Sequence, residues 1–310
     1  MVNNQMLNSC MPMLKALLKE YQPKLIIPLG NLAINALITS RTAVGEASVS
    51  LWRGFCIPDQ ELKAWVAPIY HPDFLRNMCT GADVAYVILK KDLARALGHL
   101  DKPLPDYSWI QNSVKILEKK SEILEILEEI ASHNRLTSID YETTGLKPYR
   151  SAQEIVSLAV AFKHEKHGYQ SYSFMYNKEL FRPMRRFLAS PCPKISANLS
   201  FEQTWTRHFF NVFINNLVYD PVIGMHVLDN RSGITSVKFQ TYVYLGIADY
   251  SSHIKPYLES SPQLRKTDGS HAFNNIRRIE PHLLLRYGGM DAIVELIVSE
   301  IEMEKLGLCK

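Results

Sequence analysis

A chain of 310 residues, 46% hydrophobic and 21% charged, is long enough for two ordinary domains and too apolar for intrinsic disorder. Its formal charge of +4 and pI near 8.6 permit a polyanionic partner without requiring one. No apolar run approaches the ~18 residues of a spanning helix, and no basic region leads into an apolar stretch and cleavage site at the start, so a cytoplasmic protein without a membrane partner is expected.

Met13, Leu14, Leu17 and Leu18 have helical spacing and predict a helix from Cys10 to Tyr21. The run Lys24-Leu25-Ile26-Ile27-Pro28-Leu29-Gly30 predicts a buried parallel strand, Asn31 to Ile38 a helix, and Ala64 to Ile69 a second buried strand. Ala82 to Leu97 is an amphipathic helix. Two prolines in Lys102-Pro103-Leu104-Pro105-Asp106 break the pattern and put a boundary there, dividing the chain into 1–103 and 104–310. Past it, Ser113 to Ser132 predicts a helix. Three strands follow at Leu136–Thr143, Ile155–Lys163 and Tyr169–Met175, spaced as an antiparallel meander. A helix at Lys178–Leu188, a short strand at Lys194–Ala197, a helix from Phe201, a strand at Leu217–Asp220 and a closing helix at Pro281–Glu304 complete the order βββαβαβα. That order predicts an α/β fold with a mixed sheet and flanking helices.

Asp140-Tyr141-Glu142 sits where the first strand of the meander runs out into Thr143-Thr144-Gly145. Side chains two apart on a strand share a face, so two carboxylates are presented together. Like charges held side by side repel, and a divalent cation with a preference for hard oxygen ligands relieves that repulsion. Alone, the pair also reads as two solvated edge carboxylates. Tyr287 and Asp291, four apart on or just before the last helix, read alone as a core tyrosine and a helix N-cap. Asn198-Leu199-Ser200-Phe201-Glu202 reads alone as a capping segment with Ser200 as the cap.

Taken together and in this order, Ser138-Ile139-Asp140-Tyr141-Glu142-Thr143-Thr144-Gly145-Leu146, Asn198 to Glu202, the stretch from Tyr219-Asp220-Pro221 to Leu245-Gly246, and Tyr287-x-x-x-Asp291-Ala292 resemble the DEDD exonuclease superfamily, in the tyrosine-bearing subgroup that includes the proofreading domain of DNA polymerase I. The match runs from Leu104 to the C-terminus. The resemblance implies a ribonuclease H-like sheet and metal-dependent 3′→5′ hydrolysis releasing nucleoside monophosphates from single-stranded or frayed DNA 3′ ends, in replication, proofreading or repair. It implies two ions, Mg²⁺ or Mn²⁺, ~4 Å apart. Asp140, Glu142 and Asp291 hold the ion that activates water, Asp140 and Glu202 hold the other, and Tyr287 orients the attacking water. Thr143, Asn198 and Phe201 are the implied substrate contacts. Glu202 departs from the family, which has aspartate there; the carboxylate is kept with one more methylene, and Asp220 is a nearby alternative. Arg182, Arg185, Arg186, Arg277 and Arg278 are candidate phosphate contacts or solvated helix faces.

The N-terminal hundred residues carry a second series: Cys10-x-Pro12, Pro23 to Ala33, Trp52-Arg53-Gly54 and Tyr70-His71-Pro72-Asp73-Phe74-Leu75-Arg76-Asn77. It resembles the C-terminal half of the iron–sulphur-containing uracil-DNA glycosylases, which implies DNA contacts at His71 and Arg76. The glycine-rich first motif of that family has no counterpart. The five cysteines, Cys10, Cys56, Cys79, Cys192 and Cys309, lack ligand spacing and read as reduced thiols, so no iron–sulphur cluster is expected. The module therefore predicts no glycosylase activity by itself. It is expected to dock DNA, or to meet a chain that completes it. A separate DNA polymerase chain, in a bacterial or phage-infected cell, is the other expected partner. The competing reading of the whole chain is a non-catalytic DNA-binding or assembly module of a replication complex.

Overall fold

The computed structural model describes residues 4–42, 48–77 and 82–308, so Cys79 and Cys309 lie outside the described residues. The chain forms two compact units, residues 1–108 with 231–249, and residues 109–230 with 250–310. No helix among the described residues is long and apolar enough to cross a membrane.

The first unit opens with α1 (Asn4–Tyr21), β1 (Leu25–Ile26) and α2 (Gly30–Ile34), which continues as one π-helical stretch, Asn35–Thr39. Then come α3 (Val49–Trp52), β2 (Ile57–Asp59), β3 (Ala64–Val66), α4 (Pro72–Asn77) and α5 (Ala82–Leu97). Its sheet has the order β1-β3-β2, with β1 parallel and β2 antiparallel to β3. Regular strand geometry covers only part of the run Lys24–Gly30, and that part is half-buried. The backbone bonds nevertheless continue along it, from Trp65 N–H to the Lys24 carbonyl through to Gly30 N–H on the Ile69 carbonyl. Gly30 is required where this ladder turns into α2. Its φ is +75°, and a Cβ there would lie 3.0 Å from the His71 Cβ.

The second unit begins with β4 (Val114–Ile116), α6 (Lys120–Ser132), β5 (Thr137–Thr143), β6 (Ile155–His164) and β7 (Gly168–Met175). It continues with α7 (Phe181–Ala189), β8 (Lys194–Ile195), α8 (Leu199–Phe210), β9 (Leu217–Tyr219) and α9 (Pro221–Leu228). The expected helix from Ser113 is corrected at its start. Val114 and Ile116 flank an outward lysine with period-2 spacing, and they form a strand parallel to β7, leaving the helix to begin at Lys120. The mixed sheet has the order β4-β7-β6-β5-β8-β9, in which β5, β6 and β7 are the expected antiparallel meander and β8 and β9 run parallel to β5.

After α9 the chain supplies α10 (Val237–Leu245) to the first unit. There Phe239 and Tyr242 pack on Trp52 at ring separations of 4.8 and 5.8 Å. Tyr242 Oη donates to Asp59 (2.7 Å), which also holds the half-buried Arg41 (2.5 Å). Gly246 ends the helix with φ +65°, and a Cβ there would stand 1.7 Å from the Pro58 carbonyl oxygen. The chain then re-enters the second unit through α11 (Lys255–Leu258), α12 (Pro262–Asp268) and α13 (Pro281–Lys305).

The sheet of the second unit is covered on both faces. On one, Ile139 and Tyr141 of β5 join Ile123, Leu127, Phe187 and Trp205 in the main apolar core. On the other lies α13, buried along most of its length, as its apolar character on all sides requires. Gly289 allows the close approach of α13 to the sheet. A Cβ at that position would meet Val114 Cγ1 at 2.4 Å, so the helix backbone rests almost on β4 and β7.

Candidate metal centre

Strand alternation separates two jobs within β5. Ile139 and Tyr141 point into the apolar core, which turns Ser138, Asp140 and Glu142 toward α13. On α13, Tyr287, Asp291 and Glu295 recur every four residues and form one stripe facing them. Asp291 therefore lies well inside this helix. That is where the expected closing helix from Pro281 to Glu304 puts it, and the alternative reading of Asp291 as the N-cap fails: the cap is Glu280, whose carboxylate accepts from the His282 and Leu283 N–H groups.

Oxygens of Asp140, Glu142 and Asp291 all lie within 4.8 Å of one another. Asp140 is half-buried, whereas Glu142 and Asp291 are each only 8% exposed. The sequence elements that carry them are far apart in the chain, so their convergence is a property of the fold.

Glu202 reaches the same neighbourhood from α8. Two contacts set that helix. Tyr141 Oη and Thr206 Oγ1 lie 2.8 Å apart in a buried hydrogen bond between β5 and α8. At the start of α8, the Asp220 carboxylate accepts from Asn198 N–H (3.2 Å) and Leu199 N–H (3.1 Å), and also caps α9 through Val222 N–H (2.8 Å). Asn198 is left-handed (φ 59°) and gives α8 no side-chain cap, nor does Ser200, whose hydroxyl donates to the Asn198 side-chain oxygen. The cap expected from Ser200 is thus replaced by the carboxylate of Asp220, the residue that follows β9. Asp220, with three backbone donors, is engaged in holding the chain.

Glu202 is 3% exposed, and its Oε2 has no hydrogen-bond partner among the described residues. Burial first, and then the negative charge of Asp140, raises its carboxyl well above the ordinary range. Glu295 behaves likewise. Burial and the charges of Asp140, Glu202 and Asp291 push it well up, while Ser138 Oγ donates to its Oε2 at 3.1 Å. Tyr287 is buried, and burial followed by the Asp291 and Glu142 charges holds its hydroxyl protonated.

Two of these residues escaped the sequence reading. Glu295 had a signal: it stands one helical turn beyond Asp291, on the same face. Tyr250 had none, because it sits in a loop. Its Oη donates to Asp291 Oδ1 at 2.5 Å, and its ring centroid lies 6.4 Å from that of Tyr287.

This donor set suits a divalent cation. Three hard oxygen ligands converge, an unpartnered buried carboxylate oxygen stands beside them, and the accumulated negative charge is unfavourable in a dry setting without a positive counterpart. Asp140, Glu142 and Asp291 are the residues that would hold such an ion.

The remaining expected contacts are spread out. Thr143 is buried with its hydroxyl turned to the Gly145 carbonyl (2.7 Å). Asn198 is exposed, and Phe201 packs partly against the main core. His71 and Arg76 belong to the first unit, where His71 Nδ1 accepts from Asp73 N–H and Arg76 pairs with the Asp73 carboxylate. Arg186 pairs with Glu128 and Arg277 with Glu154, whereas Arg182, Arg185 and Arg278 are exposed.

No family model matches the chain, and no curated protein does. Solved structures do. Trypanosoma brucei RNase D in complex with GMP is similar at 14% identity and a TM-score of 0.45, over 62% of this chain and 58% of that one. Escherichia coli RNase D, described as an exoribonuclease involved in structured RNA processing, is similar at 12% identity and a TM-score of 0.44, over 63% and 45%. Brucella melitensis NrnC with bound Mg²⁺ is similar at 13% identity and a TM-score of 0.42, over 63% and 81%. The chain thus spans about half the length of the two RNase D structures it matches.

Proposed function

We propose that this protein is a metal-dependent 3′→5′ exonuclease acting on single-stranded or frayed DNA 3′ ends. The observation that carries the reading is the meeting of Asp140, Glu142 and Asp291, from two distant elements, within 4.8 Å, and the resemblance of the same residues to the DEDD superfamily supports it. Asp140, Glu142 and Asp291 would hold one Mg²⁺ or Mn²⁺, and Asp140 with Glu202 a second. Bound cations supply charge neutralisation at the scissile phosphate and a more acidic water. Tyr287, kept protonated by its burial, would orient that water. Exposed Arg182, Arg185 and Arg278, with the mildly basic overall charge, suit a nucleic-acid strand. The glycosylase-like first unit is proposed to dock nucleic acid or to meet a partner chain, with a separate polymerase as the natural recipient of trimmed ends.

Digestion of 5′-labelled single-stranded, duplex and mismatched DNA, in parallel with RNA, tests this. Mn²⁺- or Mg²⁺-dependent shortening from the 3′ end is expected, reduced by ~10²–10³-fold in Asp140→Asn, the range for losing one group that stabilises transition-state charge. Binding without digestion in both metals would replace the reading with that of a non-catalytic binding module. Preference for RNA would correct the substrate.

A further inference from the structure

We infer that Tyr250 is a positioning residue for Asp291, holding one carboxylate oxygen so that the other is aimed at the cation; this rests on the proposed metal-dependent reading. Asp291 sits on the buried part of α13, but its carboxylate can still rotate about its last torsion. Tyr250 removes that freedom. Its Oη donates to Oδ1 at 2.5 Å. An oxygen already accepting this bond is a poorer ligand, so Asp291 would offer a cation its other oxygen.

Tyr250 is itself well held. Its ring packs against the buried cluster of Val156, Ile254, Ile276, Ile279, Leu284 and Tyr287. The Ile254 N–H and the Lys255 N–H both bond back to the Ser251 carbonyl, so the turn that follows Tyr250 is closed on itself. The two tyrosines near Asp291 thus divide the work. Tyr287 comes from the same helix face as Asp291, whereas Tyr250 comes from the loop that follows residue 249 in the chain, which is why no motif spacing reveals it.

The test is Tyr250→Phe, which keeps the ring and its packing and removes one donor. Three readouts are taken on the full chain: Mn²⁺ titration by calorimetry, near-ultraviolet tyrosine difference absorption on adding Mn²⁺, and steady-state digestion of a 5′-labelled DNA strand. The expected results are an unchanged melting temperature without metal, Mn²⁺ affinity weakened about threefold to tenfold, and kcat lowered about tenfold, the size expected for one hydrogen bond to a charged group. KM for DNA stays within about twofold, and the part of the tyrosine difference signal due to Tyr250 disappears. Asp291→Asn and Tyr287→Phe are run alongside. Wild-type-like Mn²⁺ affinity and kcat in Tyr250→Phe, with Mn²⁺ binding lost in Asp291→Asn, would overturn the positioning role and leave the metal reading intact. Absence of Mn²⁺ binding in wild type would overturn the metal reading itself, and the positioning role with it.

Discussion

Asp140, Glu142, Glu202, Asp291 and Glu295 are carboxylates gathered from two strand positions and two helices, and without cations they are in electrostatic conflict. Glu202 and Glu295 have folded-state pKa values raised above their unfolded values, so the stability they contribute is complete below the unfolded pKa and is lost as pH rises through the raised folded value. The metal-free protein is therefore expected to lose thermal stability as pH rises above about 4.5 and to recover it when Mn²⁺ or Mg²⁺ is added, by RT ln(1 + [M]/Kd). Melting scans in chelator and in metal across that range check it; a flat metal-free profile would contradict the clustering. Glu302, raised by burial from 4.5 to about 8, obeys the same sign outside this cluster. Its stabilising contribution fades between those two values. Glu302→Gln keeps an acceptor for Tyr219 Oη and is expected to flatten the profile between about pH 5 and 8. At this scale Asp140, Glu142 and Asp291 were legible from the sequence, because alternation and helical spacing fix which side chains share a face. Tyr250 was not legible, since its contact depends on where a loop returns, and Glu295 was passed over because the motif ends one turn earlier.

The elements place these residues through a few close contacts. On α13 two adjacent glycines face different neighbours. A Cβ on Gly288 would find only ordinary contacts, the nearest at 3.7 Å, whereas one on Gly289 would collide with Val114 Cγ1 at 2.4 Å. Gly288→Ala is therefore expected to stabilise by ~0.5–1 kcal/mol through helix propensity, and Gly289→Ala to destabilise by ~1–3 kcal/mol through overpacking against the sheet. Denaturant unfolding of the two variants reads the difference, and equal effects would mean that α13 does not lie as close to β4 as described. Asp220 is the corresponding device at α8. Asp220→Ala strands the Asn198, Leu199 and Val222 N–H groups and is expected to cost ~2–3 kcal/mol and to lower activity by displacing Glu202. The meander β5–β7 and the closing helix followed from periodicity alone. β4 did not, because three residues of alternation next to a long helical stripe carry too little signal to mark a separate strand.

Taken whole, the chain is two compact units in which the boundary in space does not follow a single cut in sequence. α10 arises from the middle of the region that follows residue 104 yet supplies Phe239 and Tyr242 to the core of the first unit, against Trp52 and the Arg41–Asp59 pair. A fragment of residues 1–108 alone leaves Trp52 and β2 uncovered. It is expected to lack a cooperative melting transition and to gain one when the 231–249 peptide is added, as followed by circular dichroism; cooperative folding of 1–108 by itself would contradict this. Nothing in the composition of 231–249 distinguished it from its surroundings, because its apolar helix fits either unit equally well as a pattern. The claim on which the functional reading turns is that Asp140, Glu142 and Asp291 share a divalent ion. Crystals of the full chain soaked in Mn²⁺ and measured for anomalous scattering test it most directly. An anomalous peak within about 2.0–2.4 Å of oxygens from all three carboxylates is the expected result; a map with no peak there, from crystals of protein that digests DNA, would contradict it.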